Sequence, residues 1–477
     1  MISFIACIAA LLAGYLFYGR FVEKIFSPDA KRVTPAISKN DGVDFIPLPS
    51  WKIFMIQFLN IAGTGPIFGA IMGAKFGPAS YLWIVFGCIF AGSVHDYLSG
   101  MLSIRNEGAG LPELIGKYLG ENTKKVMLCF TIFLMVMVGA VFVYSPALIL
   151  GDMTNGGSSV YIWCAVIFIY YLVATMLPID KIIGKTYPFF AFAILFMAVA
   201  LLACLIIKWP TLPEIYDGVG SGSFSGQNIF PALFITIACG AISGFHATQS
   251  PLMARCMENE KLGRPIFYGS MITEGVVAMI WATISMYFFY GGGAEEIGQS
   301  NTLQAPQVVT AVSSGWLGAI GSVLALLGVV AAPITSGDTA LRSARLIIAD
   351  FLKMEQKSIK KRLYICIPLF AVTMGFLWFN ISNPQGFNVI WSYFGWANQT
   401  LSVFTLWTVT VYLYLHKKAY LVTLLPALFM TMVCSTFLCV SPNAFGLSEN
   451  VSYTIGAVAT TTIFALFIRW TKKTKRE

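Results

Sequence analysis

The sequence predicts an all-α polytopic membrane protein with thirteen transmembrane helices, and three observations carry the prediction. First, 57% of the 477 residues are hydrophobic and 11% are charged, with a mean hydropathy of +0.75. Soluble domains hold about 25% charged residues. Second, Lys and Arg alternate between the segments that join the apolar runs. Third, two of those runs carry helix-breaking residues in their middle, as secondary transporters do where they bind substrate.

The apolar runs lie at 2–20, 52–74, 80–104, 125–150, 159–178, 187–208, 231–254, 267–290, 315–340, 363–380, 387–414, 420–440 and 452–470. Each has about the 18 or more residues needed to cross hydrocarbon. The first, within MISFIACIAALLAGYLFYGR, has no basic stretch before it and no small-residue cleavage site. It reads as an uncleaved helix with its N-terminus outside. With that orientation, the segments after odd-numbered spans hold 29 of the 31 Lys and Arg residues, leaving Lys75 and Lys208 outside. The positive-inside rule then supports thirteen spans and a cytoplasmic C-terminus. The net charge of +9 is read as orientation and contact with anionic lipid, with no nucleic-acid partner.

The interrupted spans are the second and the seventh. An offset of five puts spans 2–6 and 7–11 in opposite senses, which is the pattern of a 5+5 inverted repeat. A single transmembrane domain, 1–477, follows: an extra helix and loop (1–51), a first repeat (52–208), a second repeat (231–414) and two final helices with a basic tail (420–477). The ten cysteines are scattered, mostly in apolar runs, with no CxxC pair and no Cys/His ligand spacing. Neither disulfides nor a metal are indicated. No Walker A loop and no enzyme signature occurs; GSGS at 220–223 lacks a following Lys.

The first interruption, 61–69, contains Gly63, Thr64, Gly65 and Pro66. The half-helix restarting there offers N–H groups and a positive dipole end to a carboxylate, while the half ending at Ala62 offers carbonyls to a cation. Gly65, Gly69 and Gly73 also have GxxxG spacing, so close helix packing is the competing reading. The second interruption, 240–251, places Ser243, Gly244, His246, Thr248 and Gln249 at membrane depth. His246 reads either as a hydrogen-bonded packing residue or as a ligand and proton carrier. His95 and Asp96 in the third span read as a proton relay, or Asp96 as an ion-pair partner of Arg105 or Arg255. Glu274 in the eighth span reads as a snorkelling acid or as a gate that pairs with arginines of span 9. Asp338 reads as a coupling-ion ligand or as the i,i+4 partner of Arg342. Asn398 and Gln399 read as helix-to-helix hydrogen bonders.

DGVDFIP (41–47), IAGTGPIFGA (61–70), GSVHDYLSGMLSIRNEG (92–108), ISGFHATQSP (242–251), ITSGDTALRSARLI (334–347) and FNVIWSYFGWANQTLSVFTL (387–406) resemble, in order and spacing, the carbon starvation protein A (CstA) family in its short form. The resemblance implies an inner-membrane transporter related to the amino acid–polyamine–organocation superfamily. It implies uptake of peptides or pyruvate by rocking of spans 2–3 and 7–8 against the rest. Through sodium-coupled relatives of that fold it also implies a cation site made by Thr335 and Ser336 with carbonyls near Ala62. The chain departs from the long members at Gln57 and Phe58, where they carry a His-His pair, and at His95, where they carry Gln. The combined expectation is a secondary active transporter of small carboxylate-bearing nutrients, coupled to a bound sodium ion or a proton and without other cofactor. A nutrient sensor that does not transport, and a passive channel, are the alternatives.

Overall fold

The computed structural model describes the chain except residues 42–44, 155–157, 177–182, 221–222, 224, 355–358, 384 and 475–477. Among the described residues every regular element is helical. Nine helices among the described residues are long and apolar enough to cross a membrane, or ten when a bent pair is counted as one span. In chain order the main helices are α1 (Ile2–Phe26), α2 (Ser50–Ile61), α3 (Gly65–Phe76), α4 (Ala79–Arg105), α5 (Leu111–Leu119), α6 (Glu121–Met153), α7 (Ser158–Met176), α8 (Ile183–Lys208), α9 (Ile229–Thr236), α10 (His246–Ala254), α11 (Glu260–Tyr290), α12 (Ala305–Leu324), α13 (Ala331–Phe351), α14 (Ile359–Ser382), α15 (Gly386–Leu415), α16 (Leu421–Val440) and α17 (Glu449–Thr474).

Both expected interruptions are present. α2 and α3 form the bent pair, turning by 46° across Ala62, Gly63 and Thr64. Pro66 sits in the first turn of α3, where a missing N–H costs least. The second break runs over 237–245, between α9 and α10. It begins earlier than the composition of 240–251 suggests, because the helix is already lost at Ile237 (φ −94°, ψ 70°). Helix resumes at His246, so Thr248, Gln249 and Ser250 are helical. Gly240 has φ +85°, a left-handed value that suits glycine.

The two breaks touch, and small residues allow it. A Cβ on Gly65 would lie 2.4 Å from Cys239 Sγ, one on Gly73 2.3 Å from Ile237 Cγ1, and one on Gly69 3.2 Å from the Thr236 carbonyl oxygen. The GxxxG face of α3 therefore packs on the end of α9 and the start of the second break. α4 closes the other side. A Cβ on Gly92 would fall 2.2 Å from the Ala241 carbonyl oxygen. Gly92 ends a π turn, Gly87–Gly92, whose freed Ile89 carbonyl accepts from Tyr268 Oη at 2.9 Å. α11 runs along α3, α8 packs on α2, α12 on α3, and α15 and α16 on α9.

Two segments expected as loops are partly helical. The segment 291–314 contains a short helix, Gly293–Glu296, and the start of α12. Ala305, Val308, Val309 and Val312 make one buried stripe there, and α12 as a whole is one of the nine candidate spans, starting ten residues before the apolar run at 315–340. Gly318 (φ 59°) then kinks α12 before the chain continues into α13. The basic segment 105–125 contains α5, whose buried Leu111, Leu114 and Ile115 dock it.

Glu214, in the segment after α8, caps α1. Its carboxylate accepts from the N–H of Ile2 at 3.1 Å and of Ser3 at 2.7 Å, and from the terminal ammonium. Burial pushes the carboxyl up, but the hydrogen bonds from the amino terminus and Ser3 outweigh it and hold it below the ordinary carboxylate range. A depressed folded-state value adds stability above the unfolded value, and that stability is lost as pH falls through the folded value. Glu214→Gln is therefore expected to lower the detergent-solubilised melting temperature at neutral pH, with the difference from wild type shrinking as the sample is acidified. Gly65→Ala is expected to cost about 1–3 kcal/mol through overpacking. Gly63→Ala, whose Cβ would meet only Ser336 Oγ at 3.7 Å, is expected to melt close to wild type.

Candidate substrate and ion site

Backbone groups released at a break in hydrocarbon need partners, each unmet group costing several kcal/mol. At the second break the chain itself supplies them. Gln399 Nε2 donates to the Phe234 carbonyl at 3.0 Å, Trp391 Nε1 to that of Thr236 at 3.3 Å, and Trp83 Nε1 to that of Ile237 at 3.1 Å. Asn398 holds the other side: Oδ1 accepts from the Phe245 N–H at 2.7 Å, and its backbone carbonyl accepts from the Gly244 N–H at 3.2 Å. Its side chain also bonds Ser243 Oγ, at 3.0 Å from Nδ2. A Cβ on Gly244 would sit 2.3 Å from both the Asn398 carbonyl oxygen and the Ser402 nitrogen, so Gly244 lies flat against α15. Glu274 Oε1 accepts from the Gly240 N–H at 3.1 Å.

The first break is different. Ala62 N–H reaches Phe58 and Phe68 N–H reaches Thr64. Among the described residues, no acceptor meets the N–H groups of Gly63, Thr64 and Gly65, and no donor meets the carbonyls of Ile61, Ala62 and Gly63. Thr64 is fully buried and its hydroxyl has no partner. One short stretch thus presents uncommitted N–H groups, an uncommitted hydroxyl and uncommitted carbonyls.

Four ionisable side chains converge beside the breaks, all fully buried. Asp96 of α4 lies between two imidazoles, with Oδ1 2.8 Å from His95 Nδ1 and Oδ2 2.9 Å from His246 Nδ1. His246 Nε2 faces Glu274 Oε2 at 3.6 Å. The arginine partners expected for Asp96 are engaged elsewhere. Arg105 donates to Glu260 at 3.2 and 3.1 Å and to the Ser27 carbonyl at 2.8 Å, and Arg255 Nε donates to the Gly108 carbonyl at 2.9 Å. Glu274 neither snorkels nor meets an arginine of α13; Gly240 and His246 hold it at the break. Asp338 does contact Arg342, at 3.5 Å.

The remaining expected residues spread around this centre. Thr248 Oγ1 donates to the Phe245 carbonyl at 2.6 Å, and Gln249 Nε2 donates to Thr248 Oγ1 at 3.0 Å. Gln57 Nε2 donates to Ser250 Oγ at 3.3 Å and so ties α2 to α10. Ser336 of α13 faces the first break beside Gly63. Thr335 shares its helix, but its side chain lies outside the described residues.

Two features were not read from the sequence. Glu260, fully buried, joins Arg105, Arg32 at 3.3 Å and the Asp29 N–H at 2.8 Å into a hub at one end of α4 and α11. In addition, Cys239 Sγ, one His246 nitrogen and one Glu274 oxygen lie within 4.8 Å of one another. Six residues lie between Cys239 and His246, a spacing with no ligand signature. Only the unwound backbone between them folds the two together.

The sequence model of the family described as "Carbon starvation protein CstA" matches residues 1–162, 149–316 and 292–437. An uncharacterized membrane protein of Haemophilus influenzae is 45% identical over 340 residues, covering 61% of this chain and 91% of that one. The peptide transporter CstA of Campylobacter jejuni is 30% identical over 380 residues, covering 65% of this chain and 54% of that one. The pyruvate/proton symporter BtsT of Escherichia coli is 27% identical over 342 residues, covering 58% and 47%. The match thus spans about half the length of these two named transporters. A crystal structure of a mutant manganese transporter from Eremococcus coleocola superposes with a TM-score of 0.60 at 13% identity, covering 90% of this chain and 97% of that one, a likeness of fold. The chain is a multi-pass membrane protein, and with its family model matched along most of its length it belongs to the carbon starvation protein CstA family.

Proposed function

We propose that this protein is a proton-coupled secondary transporter that carries a small carboxylate-bearing solute, a peptide or pyruvate, into the cell across the inner membrane. One observation carries the reading: the second break is clamped by side chains, whereas the first keeps free N–H groups at 63–65 beside the unpartnered Thr64 hydroxyl. Helix N-termini with free N–H groups bind carboxylates. Both named relatives handle solutes that bear one, as peptide and pyruvate do. Thirteen spans with a 5+5 inverted repeat, the N-terminus outside, complete the proposal, since this arrangement lays the two breaks against each other.

The Asp96, His246 and Glu274 cluster supports a proton as the driving ion. It bridges α4, α10 and α11, so its charge state bears on how those helices sit. A sodium reading rests on Ser336, whose hydroxyl faces the first break where carbonyls 61–63 are uncommitted. Thr335 and Asp338 belong to that second reading.

Proteoliposomes are expected to accumulate labelled pyruvate or a dipeptide when an inward proton gradient is imposed. Failure of both solutes under proton and sodium gradients alike would overturn the reading. Thr64→Ala is expected to raise KM about tenfold, the loss of one buried hydrogen bond. Asp96→Asn is expected to abolish gradient-driven accumulation while solute exchange without a gradient continues. If the double variant Thr335→Ala with Ser336→Ala instead removes ion dependence and Asp96→Asn does not, sodium is the coupling ion.

A further inference from the structure

The geometry points to a buried site for one divalent metal ion of the zinc class, held by Cys239 Sγ, His246 Nε2 and Glu274 Oε2. One ligand atom from each residue lies within 4.8 Å of the others, and His246 Nε2 and Glu274 Oε2 are 3.6 Å apart. Ligands at about 2.0–2.3 Å from a tetrahedral zinc ion stand roughly 3.3–3.8 Å from each other. Small movements therefore bring all three to bonding distance.

The surrounding groups are arranged as they are around metal ligands. His246 Nε2 and Glu274 Oε2 are buried, face each other, and make no hydrogen bond. Asp96 holds Nδ1 of the same imidazole at 2.9 Å, which leaves Nε2 with the lone pair and orients it. The Gly240 N–H holds Glu274 Oε1 at 3.1 Å, leaving Oε2 to face the histidine. Asn398 Nδ2 and Ser243 Oγ lie 3.6 Å from the Cys239 sulfur. Backbone on either side fixes the sulfur's place: Gly65 presses on it from the first break.

The donor set selects the ion. Thiolate with imidazole favours zinc-class ions over magnesium, calcium or sodium. On binding, the Cys239 thiol loses its proton and the thiolate, with the Glu274 carboxylate, balances the ion's two charges. Three protein donors leave a fourth position open, the pattern of sites that exchange a ligand rather than serve as structural staples. A metal ion and a proton compete for the same lone pairs on His246 and Glu274. Binding itself is independent of the transport proposal and is read without it.

The test uses the full chain, purified, stripped with chelator and titrated with Co²⁺ and then Zn²⁺. One Co²⁺ per chain is expected, with a near-ultraviolet thiolate-to-cobalt charge-transfer band that Zn²⁺ abolishes. Zn²⁺ is also expected to raise the melting temperature. Cys239→Ser is expected to lose the band and weaken binding at least about tenfold while melting like wild type without metal. Asp96→Asn is expected to keep the band but weaken binding about 10–100-fold, as loss of a ligand's orienting partner does. Cys88→Ser, in α4, is expected to change neither. Absence of stoichiometric binding, or a band that survives Cys239→Ser, overturns the site. Transport that fails while the band appears tells against the solute reading alone.

Discussion

The structure depends on how the backbone groups freed at two helix breaks are met inside hydrocarbon. An unmet N–H or carbonyl there costs several kcal/mol, so each break needs its own solution. The second break is met from within. Trp83, Trp391 and Gln399 take the carbonyls that α9 leaves behind, and Asn398 takes N–H groups from the segment leading into α10. α15 therefore acts as a template for the unwound stretch, and Gly244 lets that stretch lie on its backbone. The first break has no such template. Its groups meet no partner among the described residues, and the two breaks differ in that respect.

Close packing and the uncommitted backbone belong to one arrangement. Gly65, Gly69 and Gly73 bring α3 onto Thr236, Ile237 and Cys239. That approach sets the free N–H groups of the first break next to the second break, where Cys239, His246 and Glu274 gather. A larger residue on the glycine face would separate the breaks and with them the donor groups. The GxxxG spacing is thus a condition for the site rather than a rival to it.

Much of this was legible in the sequence, and the limits have physical causes. The apolar runs fall on helices, and both breaks were visible because Gly, Pro and Thr clusters interrupt hydrophobic runs at two places. The start of the second break was missed because Ile237, Ala238 and Cys239 are apolar residues that favour no unwinding themselves. Tertiary contacts from Trp83 and Trp391 stabilise the open backbone there. Charge and depth allow Asp96 either a relay with His95 or a pairing with Arg105 or Arg255; its partners are His95, its neighbour in sequence, and His246, 150 residues away. No helical periodicity encodes that meeting. Cys239 passed unnoticed because its ligand partners become close only once the intervening backbone has unwound. The Asp338–Arg342 contact, by contrast, follows directly from i,i+4 geometry and was readable.

Two carboxylates and two imidazoles packed into one buried cluster set a further constraint. Asp96 and Glu274 face opposite nitrogens of the His246 ring. Removing a charge from the imidazole leaves two acids near one another in a medium that screens little. A cation in the cluster, whether a proton on His246 or an ion between His246 and Glu274, relieves that repulsion. Each acid also has a mechanical tie: Asp96 belongs to α4, and Glu274 belongs to α11 and holds the Gly240 N–H. When the cation leaves, the cost falls on the contacts that keep α4, α10 and α11 together. The charge held at His246 and the placement of those three helices are therefore linked.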